Sequence, residues 1–220
     1  MTILAITGLK REAEIAGGDG VVAVAGGGDA KGLAEKLDAL HGDIRGVISF
    51  GLAGGLSPLL KFGEAVIADQ VISGSEQWRC DERWRVALAA KLSAAHQGPI
   101  AASSTILENA ENKAALFAAT GALAVDMESA VAARFAAARE LPFAVLRVIS
   151  DDARHVLPPA VLVAMKPDGG IAIGRVLGSL LRHPLQTPNL IRMARTSGKA
   201  FKELLRCRGL CGVGLAGLDL

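Results

Sequence analysis

The sequence predicts an α/β fold: a single domain in which helices flank a mixed, mainly parallel central sheet. Short apolar runs alternate with longer Ala-rich segments along the 220 residues, the pattern of buried parallel strands connected by helices. The chain has 26 glycines but only 4% aromatic residues. This composition suits helices packed on strands with glycine turns and argues against an aromatic-rich sandwich. Composition alone leaves an all-α fold open.

Each strand prediction rests on an apolar run and each helix prediction on an Ala-rich or amphipathic segment between two runs. The predicted strands are 2–7, 21–25, 46–50, 64–72, 99–103, 123–127 and 143–150. The predicted helices are 9–16, 29–41, 81–96, 109–119, 127–140 and 170–182, followed by a basic helix near 189–206. Proline-containing breaks occur at 156–160, inside the domain, and at 183–188. The second break predicts a domain over 1–182 and a basic amphipathic C-terminal extension over 183–220.

Charge and cysteine content limit the classes of function. The 24 basic and 22 acidic residues leave a net charge of +2, which does not indicate nucleic-acid binding. The three cysteines and four histidines lack metal-ligand spacing, and an odd cysteine count fits a reducing compartment. We expect no signal peptide and no membrane-spanning segment. The predictions are therefore a cytoplasmic chain, no metal and no organic cofactor.

Polar residues interrupt the apolar run FAVLRVISDDA (143–153). A buried Arg147 is costly unless it is paired or faces a cavity. Asp151 follows at the carboxyl end of the predicted strand, where open α/β sheets bind ligands. The alternative is structural: Arg147 pairs with a neighbouring carboxylate and Asp151 caps the next segment.

A second candidate group lies in LAVDMESAVAARFAAARE (123–140), where Asp126 and Glu128 stand near the start of a predicted helix. The helix dipole stabilises carboxylates there, so we expect Glu128 to stay ionised. An ionised carboxylate in a crevice is a good bidentate acceptor for two neighbouring sugar hydroxyls. Plain helix capping is the alternative.

Two further segments follow predicted strands. Glu12 stands about one helical turn after the first strand, and FGLAGGLSP (50–58) predicts a Gly-rich turn that permits close backbone approach to a ligand. The sequence GGGDAKG (26–32) does not satisfy GxGxxG, because Lys31 occupies the place of the third glycine. It therefore does not predict a dinucleotide site.

Together, these segments resemble the purine nucleoside phosphorylase and nucleosidase superfamily, and in detail the methylthioadenosine/S-adenosylhomocysteine nucleosidases. The resemblance covers roughly residues 1–180, and its motifs occur in the order and spacing of the family. They are TGLKRE (7–12), FGLAGGL (50–56), GEAVIADQVI (63–72), AVDMESA (124–130) and RVISDDA (147–153). It implies a nucleoside phosphorylase-like fold, cleavage of an N-ribosidic bond and a homo-oligomer.

The resemblance also implies roles for individual residues. Asp151 would be the general acid at N7 of adenine, protonated when it acts, which needs a pKa raised by burial or by Asp152. Glu128 would hold the ribose 2′- and 3′-hydroxyls, and Glu12 would position or deprotonate the nucleophile. The other residues implied are Arg147 as catalytic, Gly54 beside the nucleophile, Met127 against the sugar, and Ser150, Asp126, Leu52 and Leu107 in substrate binding.

The nucleophile is undecided between water and phosphate. Leu52 stands where the nucleosidases carry a serine that helps to hold the attacking water. The arginines with which phosphorylases bind phosphate are not evident either, since Lys10, Arg11 and Arg147 are the cations within the matched motifs. Inorganic phosphate therefore remains open as a co-substrate.

A narrower resemblance concerns the substrate. TGLKREA (7–13), VVAVAGGGDA (21–30) and the basic C-terminal extension are similar to the hopanoid biosynthesis-associated phosphorylases. This similarity implies that the substrate is adenosylhopane, an adenine nucleoside linked to an apolar polycycle. A soluble nucleoside such as methylthioadenosine is the alternative with the same chemistry. A silent nucleoside- or lipid-binding protein is the alternative of another class.

The C-terminal segment 182–209 carries seven Arg and Lys residues and one acid, Glu203. Interleaved with them are the apolar residues Leu190, Ile191, Ala194, Phe201, Leu204 and Leu205. Basic amphipathic segments bind anionic lipid headgroups, so this segment predicts peripheral contact with the inner membrane surface. A solvated helix or a subunit contact is the alternative.

Trp78 and Trp84 mark either a partner-facing segment or core packing.

Overall fold

A mixed sheet of eight strands, covered by helices, forms the part of the chain that the structure describes. The structure is a computed structural model that describes residues 2–40, 42–156, 158, 166, 168–182, 185 and 187–217, without the side chains of 173, 177, 180–181 and 187–195. The strands are β1 (Thr2–Thr7), β2 (Val21–Ala25), β3 (Ile44–Gly55), β4 (Ala65–Ser73), β5 (Glu76–Arg79), β6 (His96–Ala102), β7 (Ala124–Asp126) and β8 (Phe143–Asp151). The helices are α1 (Lys10–Ala16), α2 (Ala30–Asp38), α3 (Glu82–Lys91), α4 (Ala110–Thr120), α5 (Ser129–Ala138), α6 (Ile173–Arg182) and α7 (Thr187–Cys211), followed by a 3₁₀ turn at Val213–Ala216.

The strand order is β2-β1-β3-β7-β6-β4-β5, and β8 pairs with both β3 and β4. Five of the strand pairs are parallel, and three, β3–β7, β4–β5 and β4–β8, are antiparallel. The predicted mixed, mainly parallel α/β fold is therefore confirmed. Because β8 joins β3 to β4, and β7 and β6 join the same two strands by the other route, these five strands close into a ring.

Strand β3 is longer than predicted. The segment after residue 50 continues the strand to Gly55 instead of forming a turn, because residues 47–54 pair with β8 and Gly54 and Gly55 also pair with β7. Glycine content predicted a turn there, but backbone pairing on both sides keeps the segment extended. Strand β5 was not predicted, since it is a short, mostly exposed strand that pairs only with β4 among the described strands.

The predicted helices 81–96 and 127–140 are shorter than expected. The carboxylate of Asp81 accepts a hydrogen bond from the backbone N–H of Trp84 and so begins α3, which ends at Lys91 before β6. Helix α5 ends at Ala138. The predicted break at 156–160 and His41 fall mostly outside the described residues.

Trp84 resolves the alternative left open for the two tryptophans, because it lies fully buried in the core. Its indole Nε1–H donates a 2.9 Å hydrogen bond to the carbonyl of Leu215, which connects α3 to the C-terminal turn. Trp78 is half-buried, and the guanidinium of Arg134 lies 5.3 Å from its ring centroid.

The C-terminal helix α7 packs its apolar residues against the domain. Ala200, Phe201, Leu204 and Cys207 are buried in the same core cluster as Trp84. Of the apolar residues that predicted a membrane contact, Phe201 and Leu204 therefore face inward, and only Leu205 is described as exposed. The side chains of Leu190, Ile191 and Ala194 lie outside the described residues, as does residue 183, so the domain boundary there stays a prediction. Among the described residues, no helix is both long and apolar enough to cross a membrane.

Replacing Trp84 with phenylalanine is expected to lower the free energy of unfolding by about 1–3 kcal/mol. The smaller ring leaves a void, and the buried carbonyl of Leu215 loses its donor. Chemical denaturation followed by circular dichroism measures the change. Trp78→Phe serves as the control and is expected to cost less, because Trp78 is only half-buried; an equal loss in both variants would contradict the assignment of Trp84 to the core.

Candidate active site

Arg147 lies fully buried at the centre of the sheet, on β8 between β3 and β4. Its Nη2 donates a 2.5 Å hydrogen bond to the Ser49 hydroxyl, and its Nη1 donates a 3.2 Å bond to the carbonyl of Leu52. Its Nε lies 2.7 Å from Asp126 Oδ2, an ion pair by distance that lacks the alignment of a hydrogen bond. Arg147 has no exposed surface, so it acts on neighbouring groups of the protein.

Asp126 ends β7 and holds the start of α5. Its Oδ1 accepts a 2.9 Å hydrogen bond from the backbone N–H of Ser129, and its Oδ2 accepts a short one from the Ser129 hydroxyl. Asp126 therefore performs the helix capping that was the alternative explanation for this acidic pair. It also fixes Arg147, so one carboxylate connects the strand, the helix and the guanidinium.

Glu128 makes no helix-capping hydrogen bond through its side chain. It is buried, and its Oε2 lies 3.6 Å from Arg147 Nη2. Burial raises its pKa to about 7; Arg147 opposes this shift, and Asp126 and Glu12 reinforce it. The expectation that the helix N-terminus keeps Glu128 fully ionised is therefore wrong, because desolvation outweighs the helix dipole.

The Glu12 carboxylate is buried and accepts hydrogen bonds from backbone N–H groups of the loop after β1 and of strand β3. Its Oε2 accepts 2.8 Å hydrogen bonds from Gly8 and Leu9, and its Oε1 accepts a 2.9 Å bond from Leu52. Burial raises its pKa, although Arg147 and these three N–H groups lower it in part. Since a carboxylate offers about four acceptor positions, one remains on Oε1.

Gly51 makes this cluster possible. A Cβ at this position would lie 2.8 Å from Arg147 Nη1 and 2.8 Å from the Glu12 carboxyl carbon, and the φ angle of +154° is in a region that favours glycine. The guanidinium of Arg147 and the carboxylate of Glu12 both contact the backbone of β3 at Gly51, where no side chain intervenes. The Gly-rich motif after the predicted strand thus serves close packing of buried charges.

Asp151 lies at the end of β8 and is bonded at both carboxyl oxygens. Its Oδ1 accepts a 2.7 Å hydrogen bond from the Ser150 hydroxyl, and its Oδ2 forms a short ion pair with Lys113 Nζ. Lys113 also donates a 2.9 Å hydrogen bond to the carbonyl of Asp152. Asp152 therefore contributes its backbone next to Lys113, while its carboxylate accepts from the N–H of Arg154.

Gly54, for which the resemblance implies a place beside the nucleophile, lies opposite Asp151 near the end of β3. It pairs with Asp151 across β3 and β8, and a Cβ added to it would lie 3.2 Å from Asp151 Oδ2. It therefore belongs to the Asp151 end of the site, while the backbone of Leu52 contacts Glu12. The prediction took the whole glycine motif as a single turn, but an extended strand separates its two ends.

The structure thus brings Glu12, Arg147, Asp126 and Glu128 together, with Ser49 and Ser129 beside them. Met127 is half-buried next to Glu128, and Leu107 packs with Leu116 and Phe117 against a separate small cluster that contains Val125.

Sequence reasoning missed Lys113, Ser49 and Ser129. Ser49 carried a signal, as a polar residue within the apolar run GVISF, but Lys113 stands in a helix that is otherwise largely exposed. The described residues include no cluster of His, Cys, Asp and Glu that could hold a metal ion.

This fold and this charged cluster place the chain among α/β proteins with a buried acidic site at the sheet. Residues 11–165 match the family described as the phosphorylase superfamily. Because the match spans more than half of the 220 residues, the chain belongs to the phosphorylase superfamily. No curated protein matches it significantly.

Solved structures support the same fold at low sequence identity. A putative 5′-methylthioadenosine/S-adenosylhomocysteine nucleosidase from Francisella philomiragia is 18% identical, with a TM-score of 0.63 over 96% of each chain. The Streptococcus pneumoniae nucleosidase, bound to a transition-state inhibitor, is 18% identical, with a TM-score of 0.60 over 94% of this chain and 99% of that one. Futalosine hydrolase of Helicobacter pylori is 20% identical, with a TM-score of 0.60 over 94% of this chain and 97% of that one.

Arg147→Met is expected to lower the free energy of unfolding by about 3–5 kcal/mol, because it leaves buried carboxylates without their cation. Denaturant unfolding measures the loss. Arg134→Met is the matched control: its ion pair with Glu76 is about half exposed, so it is expected to cost less than about 1 kcal/mol. Similar small losses in both variants would contradict the central role of Arg147.

Glu128 is expected to make stability depend on pH. With a pKa of about 7 when folded and about 4.3 when unfolded, the folded chain holds a proton that the unfolded chain releases. Its contribution to stability therefore decreases as pH rises between these values. Unfolding of the wild type and Glu128→Gln at pH 5 and pH 8 tests this, since Glu12 is present in both. The variant is expected to gain stability relative to the wild type toward pH 8, and a constant difference would refute the shift.

Proposed function

We propose that this chain hydrolyses the N-ribosidic bond of an adenine nucleoside. The observation that carries the proposal is the placement of two chemically different groups of side chains around the two halves of β8. Arg147, Glu12 and Glu128 cluster at one end, and Asp151 with Ser150 and Lys113 lies at the other. Bond cleavage needs such a division, with an acid on the leaving base and an activated nucleophile on the other side of the sugar.

The spacing of the two ends suits a nucleoside. Arg147 and Asp151 are four residues apart on β8, which corresponds to roughly 13 Å at ~3.3 Å per residue. The register of β3 against β8 shifts between Ala53 and Gly54, so a β-bulge at Ser150 precedes Asp151 and the strict alternation of faces does not extend to it. A purine, its ribose and an attacking water molecule fill a distance of this order.

Glu12 is suited to activate water. Its three backbone hydrogen bonds fix the carboxylate, and the remaining acceptor position on Oε1 can take a proton from a bound water. Its raised pKa moves it closer to neutrality, where a general base is most effective. Glu128 makes no helix-capping hydrogen bond and lies 3.6 Å from Arg147, and in its ionised form it would accept the two ribose hydroxyls.

The charges around Glu12 favour water over phosphate. The backbone N–H groups of Gly8, Leu9 and Leu52, which could bind an anion, already bind the Glu12 carboxylate. The three cations of the matched motifs are also engaged: Lys10 pairs with Asp168 at 2.6 Å, Arg11 lies 4.4 Å from the Phe201 ring centroid, and Arg147 pairs with Asp126 and Glu128. A phosphate dianion would meet the carboxylates of the cluster, which repel it.

Adenosylhopane is the substrate that we propose, on the resemblance of TGLKREA, VVAVAGGGDA and the basic C-terminal segment to the hopanoid-associated phosphorylases. A soluble nucleoside is the second candidate, because the similar Streptococcus pneumoniae structure binds the inhibitor MT-ImmA and is named a methylthioadenosine nucleosidase.

Contact with the inner membrane surface stays a proposal that now rests on exposed residues of α7 such as Lys199, Lys202 and Leu205. Homo-oligomer formation is likewise proposed from the resemblance.

Release of adenine from adenosylhopane by the purified protein, with and without phosphate, tests the proposal. We expect release in the absence of phosphate, with no increase when phosphate is added. Dependence on phosphate would replace hydrolysis by phosphorolysis. Release from methylthioadenosine alone would select the soluble substrate, and release from neither would favour the silent binding protein.

Asp151→Asn is expected to lower kcat for the active nucleoside by about 10²- to 10⁴-fold, because the leaving base then lacks its acid. Asp152→Asn is the control, since the carbonyl of Asp152, which contacts Lys113, is retained in that variant. Steady-state assays of adenine release measure both. Normal turnover by the Asp151 variant would contradict its role.

A further inference from the structure

Lys113 is a buried cation at the Asp151 end of the site. Its side chain is 1% exposed, and it reaches from α4 to Asp151 Oδ2 and to the carbonyl of Asp152. Burying an ammonium group is costly, and a buried ion pair is weak evidence for a stabilising role. Its position against the residue proposed to act on the leaving base therefore calls for a functional explanation.

The hydrogen bonds of Asp151 raise a difficulty for its role as an acid. Both of its oxygens accept hydrogen bonds, from Ser150 and from Lys113, as the oxygens of a carboxylate do. N7 of adenine is also an acceptor. Two acceptors cannot bond to each other without a proton between them, so one must arrive at Asp151 before or during bond cleavage.

We propose that Lys113 supplies this proton through Asp151, and is thus a positioning residue and proton source for the leaving base. The inference rests on the proposed function. Among the described contacts of Asp151, Lys113 is the cationic donor, and the Ser150 hydroxyl is a much weaker acid than an ammonium group.

The proton and electron balance is complete. As the C1′–N9 bond breaks, its electron pair passes to the purine, and N7 takes a proton from Asp151. Asp151 takes a proton from the Lys113 ammonium, which becomes a neutral amine. Water adds to C1′ and gives its proton to Glu12. Exchange with solvent then returns a proton to Lys113 and removes one from Glu12.

The acidity of an ammonium group suits this step. A neutral nucleoside is too weak a base to take a proton from it, whereas a departing purine anion is strongly basic. Transfer therefore occurs only as negative charge builds up on the base, and the interaction acts on the transition state more than on the bound substrate.

Two substitutions distinguish the proton that Lys113 supplies from its positive charge. Lys113→Met removes the charge and the proton. Lys113→Arg keeps a positive charge that can pair with Asp151, but a guanidinium does not give up its proton in proteins. We expect both to lower kcat for the adenine nucleoside by about 10²- to 10⁴-fold. Recovery of most of the activity in Lys113→Arg would overturn the proposal in favour of a purely electrostatic role. Lys31→Met, at an 88% exposed side chain, is the matched control with unchanged activity.

A substrate whose leaving group needs no proton provides the second measurement. 4-Nitrophenyl riboside releases a stable phenolate, so Lys113→Met is expected to cleave it within a few-fold of the wild-type rate. This result also shows that the variant is folded. Equal losses on both substrates would assign Lys113 a structural role. Failure of the wild type to release adenine would instead refute the proposed function itself.

The pH profile provides a third measurement that does not need the riboside. Without Lys113, Asp151 must take its proton from solvent, so the ratio of Lys113→Met to wild-type kcat is expected to rise as pH falls from 8 to 5. A ratio that stays constant over this range overturns the proposal.

Discussion

A single buried guanidinium determines the arrangement of the sheet centre. Arg147 has no exposed surface, and it must satisfy its charge against Asp126, Glu128 and Glu12 within the protein. An uncompensated buried charge costs several kcal/mol, so the elements that carry these carboxylates are held around β8. Asp126 in turn begins α5, and Glu12 joins the loop after β1 to β3. Arg147, which interrupts an apolar run in the sequence, is thus the charge around which the start of α5, the loop after β1 and strand β3 assemble.

The sequence predicted the fold and most of the charged cluster, because both depend on local patterns. Apolar runs located seven of the strands, and Arg147 and Asp151 were visible as polar interruptions of one run. The rest depends on long-range pairing. Lys113 could not be predicted, because only the approach of α4 to the end of β8 buries it. The raised pKa of Glu128 follows from desolvation and from the approach of Glu12. The position of Gly54 follows from the register of β3 against β8.

The basic composition of the C-terminal helix α7 does not reveal that its apolar residues pack in the core. Seven basic residues in the segment 182–209 predicted contact with a membrane surface, and Ala200, Phe201, Leu204 and Cys207 of the same segment lie in the core beside Trp84. Lys199, Lys202 and Arg206 lie on the exposed face, while the inner face carries the packing energy. Removing the whole segment would expose this core, so a membrane role is better examined by changing its exposed residues than by truncation.

The pairing of β3 with β8 sets the spacing of the residues in the site. Leu52 and Gly54 on one strand, and Arg147 and Asp151 on the other, are held by the pairing of β3 with β8, whose register shifts once, between Ala53 and Gly54. A one-residue slip in either strand would turn these groups to the opposite face. The distance between Arg147 and Asp151 is thus set by strand pairing, and a change in a surface loop does not alter it. Divergence toward new nucleosides must proceed at the periphery, where loops and helices meet the part of the substrate that does not react.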